Sequence, residues 1–120
     1  MANYCFVVPL LPGGEEKMKS FDKKGVMNNA DHDRVMHEAG VSREQVWIQK
    51  TPMGDFAVAS YETKDPQRTF EVLASSKDPW AVQFRAFLLE AHGIDVTHPM
   101  ELNRQMVDWG VTEKAGAFNK

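Results

Sequence analysis

Residues 23–40, KKGVMNNADHDRVMHEAG, set an imidazole and two amides where a buried helix face should be apolar. Projected at about 100° per residue, Met18, Phe21, Gly25, Met36 and Ala39 share one sector of a helix. His32 falls near its centre, with Asn28 and Asn29 on its two shoulders, while Asp31, Arg34 and Met27 point elsewhere and His37 lies well to one side. Such a stripe would line a pocket. A histidine there suits general acid–base chemistry, because its unperturbed pKa lies near physiological pH, and the amides would orient a polar group of a ligand. A packing role, with His32 hydrogen-bonded in the core and nothing bound, accounts for the same pattern.

Other residue types narrow the chemistry. Trp47, Tyr61, Trp80 and Trp109 could wall an aromatic-binding pocket, or serve only as core and interface. His98 precedes Pro99 in an extended dipeptide and could reach a pocket mouth or face solvent; His92 precedes a capping glycine and would interact with a helix dipole. His32 and His37 stand five apart, which splays them around a helix, and the ligand spacings of zinc sites are absent, so no metal site is expected. Cys5 lies inside an apolar strand and reads as a buried, inert thiol. Arg85 reads as a surface or dimer-edge charge. PGGEE lacks the lysine and spacing of a phosphate-binding loop, and no serine sits in a nucleophile elbow.

These side chains must be placed by a chain of 120 residues, a length that suits one domain with a real core. Hydrophobic residues make up 42% and charged residues 26%, ordinary values for a globular protein. A net charge of -3, a pI near 5.8 and no run of Lys and Arg argue against nucleic-acid binding. A single cysteine rules out an internal disulfide framework and suits a reducing compartment. The apolar run in MANYCFVVPLLPGG has no basic region before it and no cleavage site after it, and nothing approaches the roughly 18 apolar residues of a membrane span. A cytoplasmic protein without targeting segment or membrane association is the expectation.

Residues 2–10 read as a strand that stops at Pro12-Gly13-Gly14. A helix from about Glu15 to Glu38 follows, with Gly25 as the point where it would bend or divide and Gly40 as its cap. Residues 45–51 and 56–63 form a hairpin around Pro52-Met53-Gly54-Asp55, and Ser42 with Gln45 resembles a capping box for a short preceding turn of helix. Asp65-Pro66 and Asp78-Pro79 each start a helix, the second running to His92 with Trp80, Phe84, Phe87, Leu88 and Ala91 on one face. A short fourth strand is expected at about 94–98, and a tail over residues 112–120 beyond a single domain of residues 1–111.

The order β-α-β-β-α-(β) is that of a split βαβ, ferredoxin-like unit: α+β, with an antiparallel sheet and helices on one face. Cys5 and Val7 are apolar, and so are Tyr4, Phe6 and Val8 on the other side of the strand; Ala57, Ala59, Phe56 and Val58 repeat the pattern. A sheet with one wet face should alternate. Apolar residues on both faces predict that a second copy covers the open one, making a homodimer.

With VWIQKTPMGDFAVASYE at 46–62, SSKDPWAVQFRAFLLEAHGID at 75–95 and a terminal DW at 108–109, the chain resembles the dimeric α/β barrel superfamily over roughly residues 3–109. That superfamily includes antibiotic-biosynthesis-type monooxygenases, haem-degrading enzymes and small stress-responsive proteins, and the likeness is nearest to uncharacterised bacterial members. The resemblance implies a dimer with a ligand space between sheet and helices; it does not transfer a reaction. The function expected is binding of a small apolar or aromatic molecule there. His32 would be catalytic, Asn28, Asn29, Trp47, Tyr61, Trp80 and His98 would contact the ligand, and cofactor-free oxygenation or isomerisation would be the chemistry. A non-catalytic stress-related or ligand-binding dimer is the alternative. A third possibility, haem binding or degradation, would need His32 or His98 as axial ligand; no other cofactor is expected.

Overall fold

The computed structural model describes residues 3–98 and 101–110; the tail expected over 112–120 lies outside them. Strand β1 (Asn3–Pro9) leads to α1 (Gly14–Lys23), a single 3-10 turn (Val26–Asn28) and α2 (Ala30–Glu38). A hairpin of β2 (Val41–Thr51) and β3 (Gly54–Thr63) follows, then α3 (Pro66–Ser75) and α4 (Pro79–His92). The sheet is antiparallel throughout, in the order β1-β3-β2. The chain is thus α+β, with a three-stranded open antiparallel sheet and four helices among the described residues.

The long helix expected from Glu15 to Glu38 is broken. Gly25 adopts φ +73°, a left-handed conformation that no helix interior contains and that glycine reaches without steric cost. The chain turns there, and α2 restarts five residues later with its own N-cap, the Asn29 carboxamide accepting the His32 N–H at 2.8 Å. A wheel drawn through residues 15–39 therefore loses its phase at Gly25.

Both Asp-Pro starts are realised, with Asp65 accepting the Arg68 N–H and Asp78 the Trp80 N–H. Helix α4 buries Trp80, Phe84 and Ala91 from the face expected. Phe21 of α1 stacks on Phe87 of α4 with centroids 4.2 Å apart. A Cβ on Gly14 would sit 2.5 Å from the Ala91 carbonyl oxygen, so only glycine lets α1 begin this close to the end of α4.

Other expectations are corrected. Ser42 and Gln45 form no capping box: they lie within β2, and Ser42 Oγ donates to the Glu62 carboxylate of β3. Residues 94–98 make no strand, because the Asp95 carboxylate accepts both the N–H and the hydroxyl of Thr97 and curls the chain into an Asx turn. Arg85 is no free surface charge; its guanidinium donates to the carbonyls of Leu73 and Ser76 at 2.8 Å each, closing the end of α3. Cys5 is exposed, not buried, because it points to the open side of the sheet.

Register divides the sheet into two faces. Tyr4, Tyr61 and Glu44 form one row across the three strands, Phe6, Ala59 and Val46 the next, and Val8, Ala57 and Ile48 a third; these rows face the helices. The opposite face carries the row Val7, Val58 and Trp47, of which Val7 is 58% exposed and Trp47 51%.

Candidate functional site

The helix-facing side of β3 presents alanine at both 57 and 59, flanked by larger residues on its neighbours. Two methyl groups in the middle of the sheet leave space beneath the helices. A cavity of about 1420 Å³ occupies it, ample for a drug-sized molecule. Its floor is the three rows of the sheet, and its roof includes Phe21, Phe70, Phe84 and Phe87 from α1, α3 and α4. The rings interlock: Phe6 meets Tyr61 and Phe70 edge-on, each at 5.2 Å between centroids.

Into this apolar space one strand introduces a carboxylate. Glu44 shares the inward side of β2 with Val46 and Ile48, two and four residues on, so strand alternation carries it onto the floor. Its side chain is only 13% exposed. From α2, His32 Nε2 lies 2.9 Å from Glu44 Oε1, and from the neighbouring strand the Tyr61 hydroxyl bonds to the same carboxylate. Burial holds the Tyr61 phenol well above its ordinary pKa, and the Glu44 charge pushes the same way, so this hydroxyl is a fixed donor.

His32 is buried and meets Asp33 Oδ1 at 3.0 Å through its other ring nitrogen. An ionised carboxylate only accepts, and a neutral imidazole has one N–H, so two carboxylates are both satisfied only by the imidazolium. Glu44 accordingly lifts the imidazole above its ordinary pKa, against its burial, with Asp33 adding to the lift. Trp80 packs edge-on against the ring at 5.3 Å and anchors itself by donating Nε1–H to the Val26 carbonyl at 2.8 Å. A carboxylate with about four acceptor positions keeps capacity for a further donor beyond His32 and Tyr61.

The expected site residues are thus dispersed. His32 is buried as the stripe implied, but it stands behind Glu44 and does not itself line the cavity. Asn28 and Asn29 are exposed, and Asn29 is occupied as an N-cap, because the break at Gly25 turns both away from the helix face they were assigned. Trp47 points to the open side of the sheet, and Trp80 belongs to the core beneath His32. Tyr61 lines the cavity; His98 is exposed at its rim with Nε2 3.2 Å from Asp95. Both nitrogens of His32 face carboxylates, so the ring offers no lone pair to a haem iron. Among the described residues no three His, Cys, Asp or Glu side chains gather as a metal site.

Two residues were missed. Glu44 lay within the turn of helix expected before residue 45 and was given no role; counting back by twos from Ile48 and Val46 would have placed it inside. His92 was read as a charge on a helix end, yet it is 3% exposed, lines the cavity and binds the Pro9 carbonyl through Nδ1 at 2.8 Å. Burial, opposed only by that bond, lowers its pKa, so it does not act as the expected cation on the dipole. Comparison with protein-family models, with curated proteins and with solved structures finds no match to this chain. Among the described residues no helix is long and apolar enough to cross a membrane.

Proposed function

We propose that this chain is a ferredoxin-like protein of the dimeric α/β barrel type that binds a small, mainly apolar or aromatic molecule between its sheet and helices. The molecule donates an O–H or N–H to Glu44. The observation that carries this reading is the Glu44 carboxylate on the floor of an aromatic-lined cavity, held from behind by His32 and from the side by Tyr61. The lining of Phe6, Phe70, Phe84 and Phe87 favours an uncharged ligand, since a charge moved into apolar surroundings is costly. Glu44 is the group that meets the ligand; His32 is a positioning residue.

Proton transfer can begin at the same contact. Isomerisation, in which a proton leaves one carbon for Glu44 and returns to another, is the simplest reaction of this geometry. Cofactor-free oxygenation would add dioxygen to the same carbanion. The homodimer belongs to this reading: the apolar row Val7, Val58 and Trp47 lies on the open face, where a second copy would cover it.

Calorimetric titration with naphthols and their methyl ethers tests the reading. Naphthols should bind and their ethers should bind at least about tenfold more weakly, since only the former give Glu44 a donor. Ala59→Leu, which fills the cavity from the floor, should abolish binding without lowering the melting temperature. Equal binding of naphthol and ether, or binding undisturbed by Ala59→Leu, would overturn it.

A further inference from the structure

The pocket has a second pole. His92, the last residue of α4, presents its imidazole to the same cavity at the end of the sheet opposite Glu44. A carbonyl oxygen can only accept, so the 2.8 Å contact with Pro9 fixes the proton on Nδ1. Nε2 then carries the lone pair. Among the described residues that atom meets no hydrogen-bond donor, although the residue is 97% buried, and Phe87 packs edge-on to the ring at 5.8 Å. A buried acceptor without a donor is unusual in a folded protein and calls for an explanation.

Strand register places the two poles relative to each other. Glu44 and Tyr61 share a row with Tyr4, at the start of β1, whereas His92 binds Pro9 at its end. The step from Tyr4 to Pro9 covers about 17 Å at about 3.4 Å per residue. Between them the floor is Phe6, Val8, Ala57 and Ala59, with no polar side chain.

We infer that His92 is the second anchor of the pocket, accepting through Nε2 a hydrogen bond from the far end of the bound molecule. The ligand class follows, given the pocket assigned above: an elongated, uncharged molecule with an apolar or aromatic middle and an O–H or N–H donor at each end. Burial keeps the imidazole in its neutral, accepting form near neutral pH, in agreement with that assignment. Lys19 on the cavity lining is already paired with Glu15 and Glu16, so the two buried acceptors select donors and disfavour carboxylates and phosphates.

The test uses rigid diphenols of two lengths, 4,4′-dihydroxybiphenyl and 4,4′-dihydroxystilbene, each with its monomethyl and dimethyl ether, titrated into the intact protein at neutral pH. For at least one length, the diphenol should bind about fivefold more tightly than its monomethyl ether. That ratio should fall to about one in His92→Asn, whose amide can still donate to Pro9 but whose shorter side chain places no acceptor at the position of Nε2. In wild-type protein labelled with ¹⁵N in histidine, the His92 Nε2 resonance should move upfield with the diphenol. Diphenol and monomethyl ether binding equally at both lengths, with no Nε2 shift, would overturn the inference; the dimethyl ether binding more weakly than both would leave the role of Glu44 standing. No binding by any of these compounds would overturn both. Should His92→Asn fail to fold, the wild-type ratio and the Nε2 shift decide the matter alone.

Discussion

His32 and Glu44, twelve residues apart, meet at 2.9 Å and tie α2 to β2, with the Glu44 carboxylate at one end of the cavity and His32 behind it. A second carboxylate, Asp33, engages the other side of the same ring. The pair therefore has consequences for stability as well as for binding.

Stability should pass through a maximum near pH 6.5. His32 has a folded pKa raised above the ordinary 6.5, so its contribution is complete below that value and is lost as pH rises through the folded pKa. His92 has a folded pKa lowered below 6.5, so the unfolded chain takes up protons first and stability falls as pH drops from 6.5. Urea midpoints across pH 5–8.5 should trace this dome. His32→Asn should flatten the alkaline limb and His92→Asn the acid limb; a variant that leaves its own limb unchanged would contradict the assignment. Asp78, Asp95 and Glu15, held below ordinary carboxylate values by their hydrogen-bond donors, act only at lower pH.

Trp80→Phe should cost about 2 kcal/mol. The ring can still stack on Phe84, but the Val26 carbonyl loses its buried donor. Equilibrium urea unfolding measures this directly. A cost near zero would mean that Val26 finds another partner.

Gly25→Ala should destabilise the fold by about 1 kcal/mol. The nearest atom to a new Cβ is Asn28 Oδ1 at 3.5 Å, an ordinary contact, so the penalty comes from the φ of +73° alone. An uninterrupted helix through this point predicts the opposite sign, since alanine is the better helix former. Comparison of the two urea midpoints separates these outcomes.

Trp47→Glu should convert the proposed dimer to monomer while leaving the far-ultraviolet circular dichroism unchanged. Light scattering coupled to size exclusion reads the mass of each. A wild-type protein that stays monomeric at every accessible concentration would remove the second copy from the reading.

Local signals were legible and distant ones were not. The Asp-Pro helix starts, the hairpin about Pro52–Asp55 and the buried face of α4 follow from short-range capping, turn chemistry and periodicity. His32 was recognised as buried. Its partner was not, because the contact with Glu44 depends on how α2 lands on β2, and Asn29 looked like a pocket amide when its work is to cap the helix that begins beside it. The break at Gly25 decides between the two readings of Asn29. The strand expected at 94–98 fails for a local reason: an aspartate two residues before a threonine satisfies its own backbone in a turn.

The paired alanines at 57 and 59 have a bearing on how this molecule could be altered. Their side chains rise from the central strand, the element held by neighbours on both edges, so the depth of the hollow is set by a strand hydrogen-bonded on both sides. The aromatic roof need not move to change what fits. One added methyl at either position shortens the space by a known increment at a known height along the strand, which makes residues 57 and 59 a two-position dial for ligand length and girth.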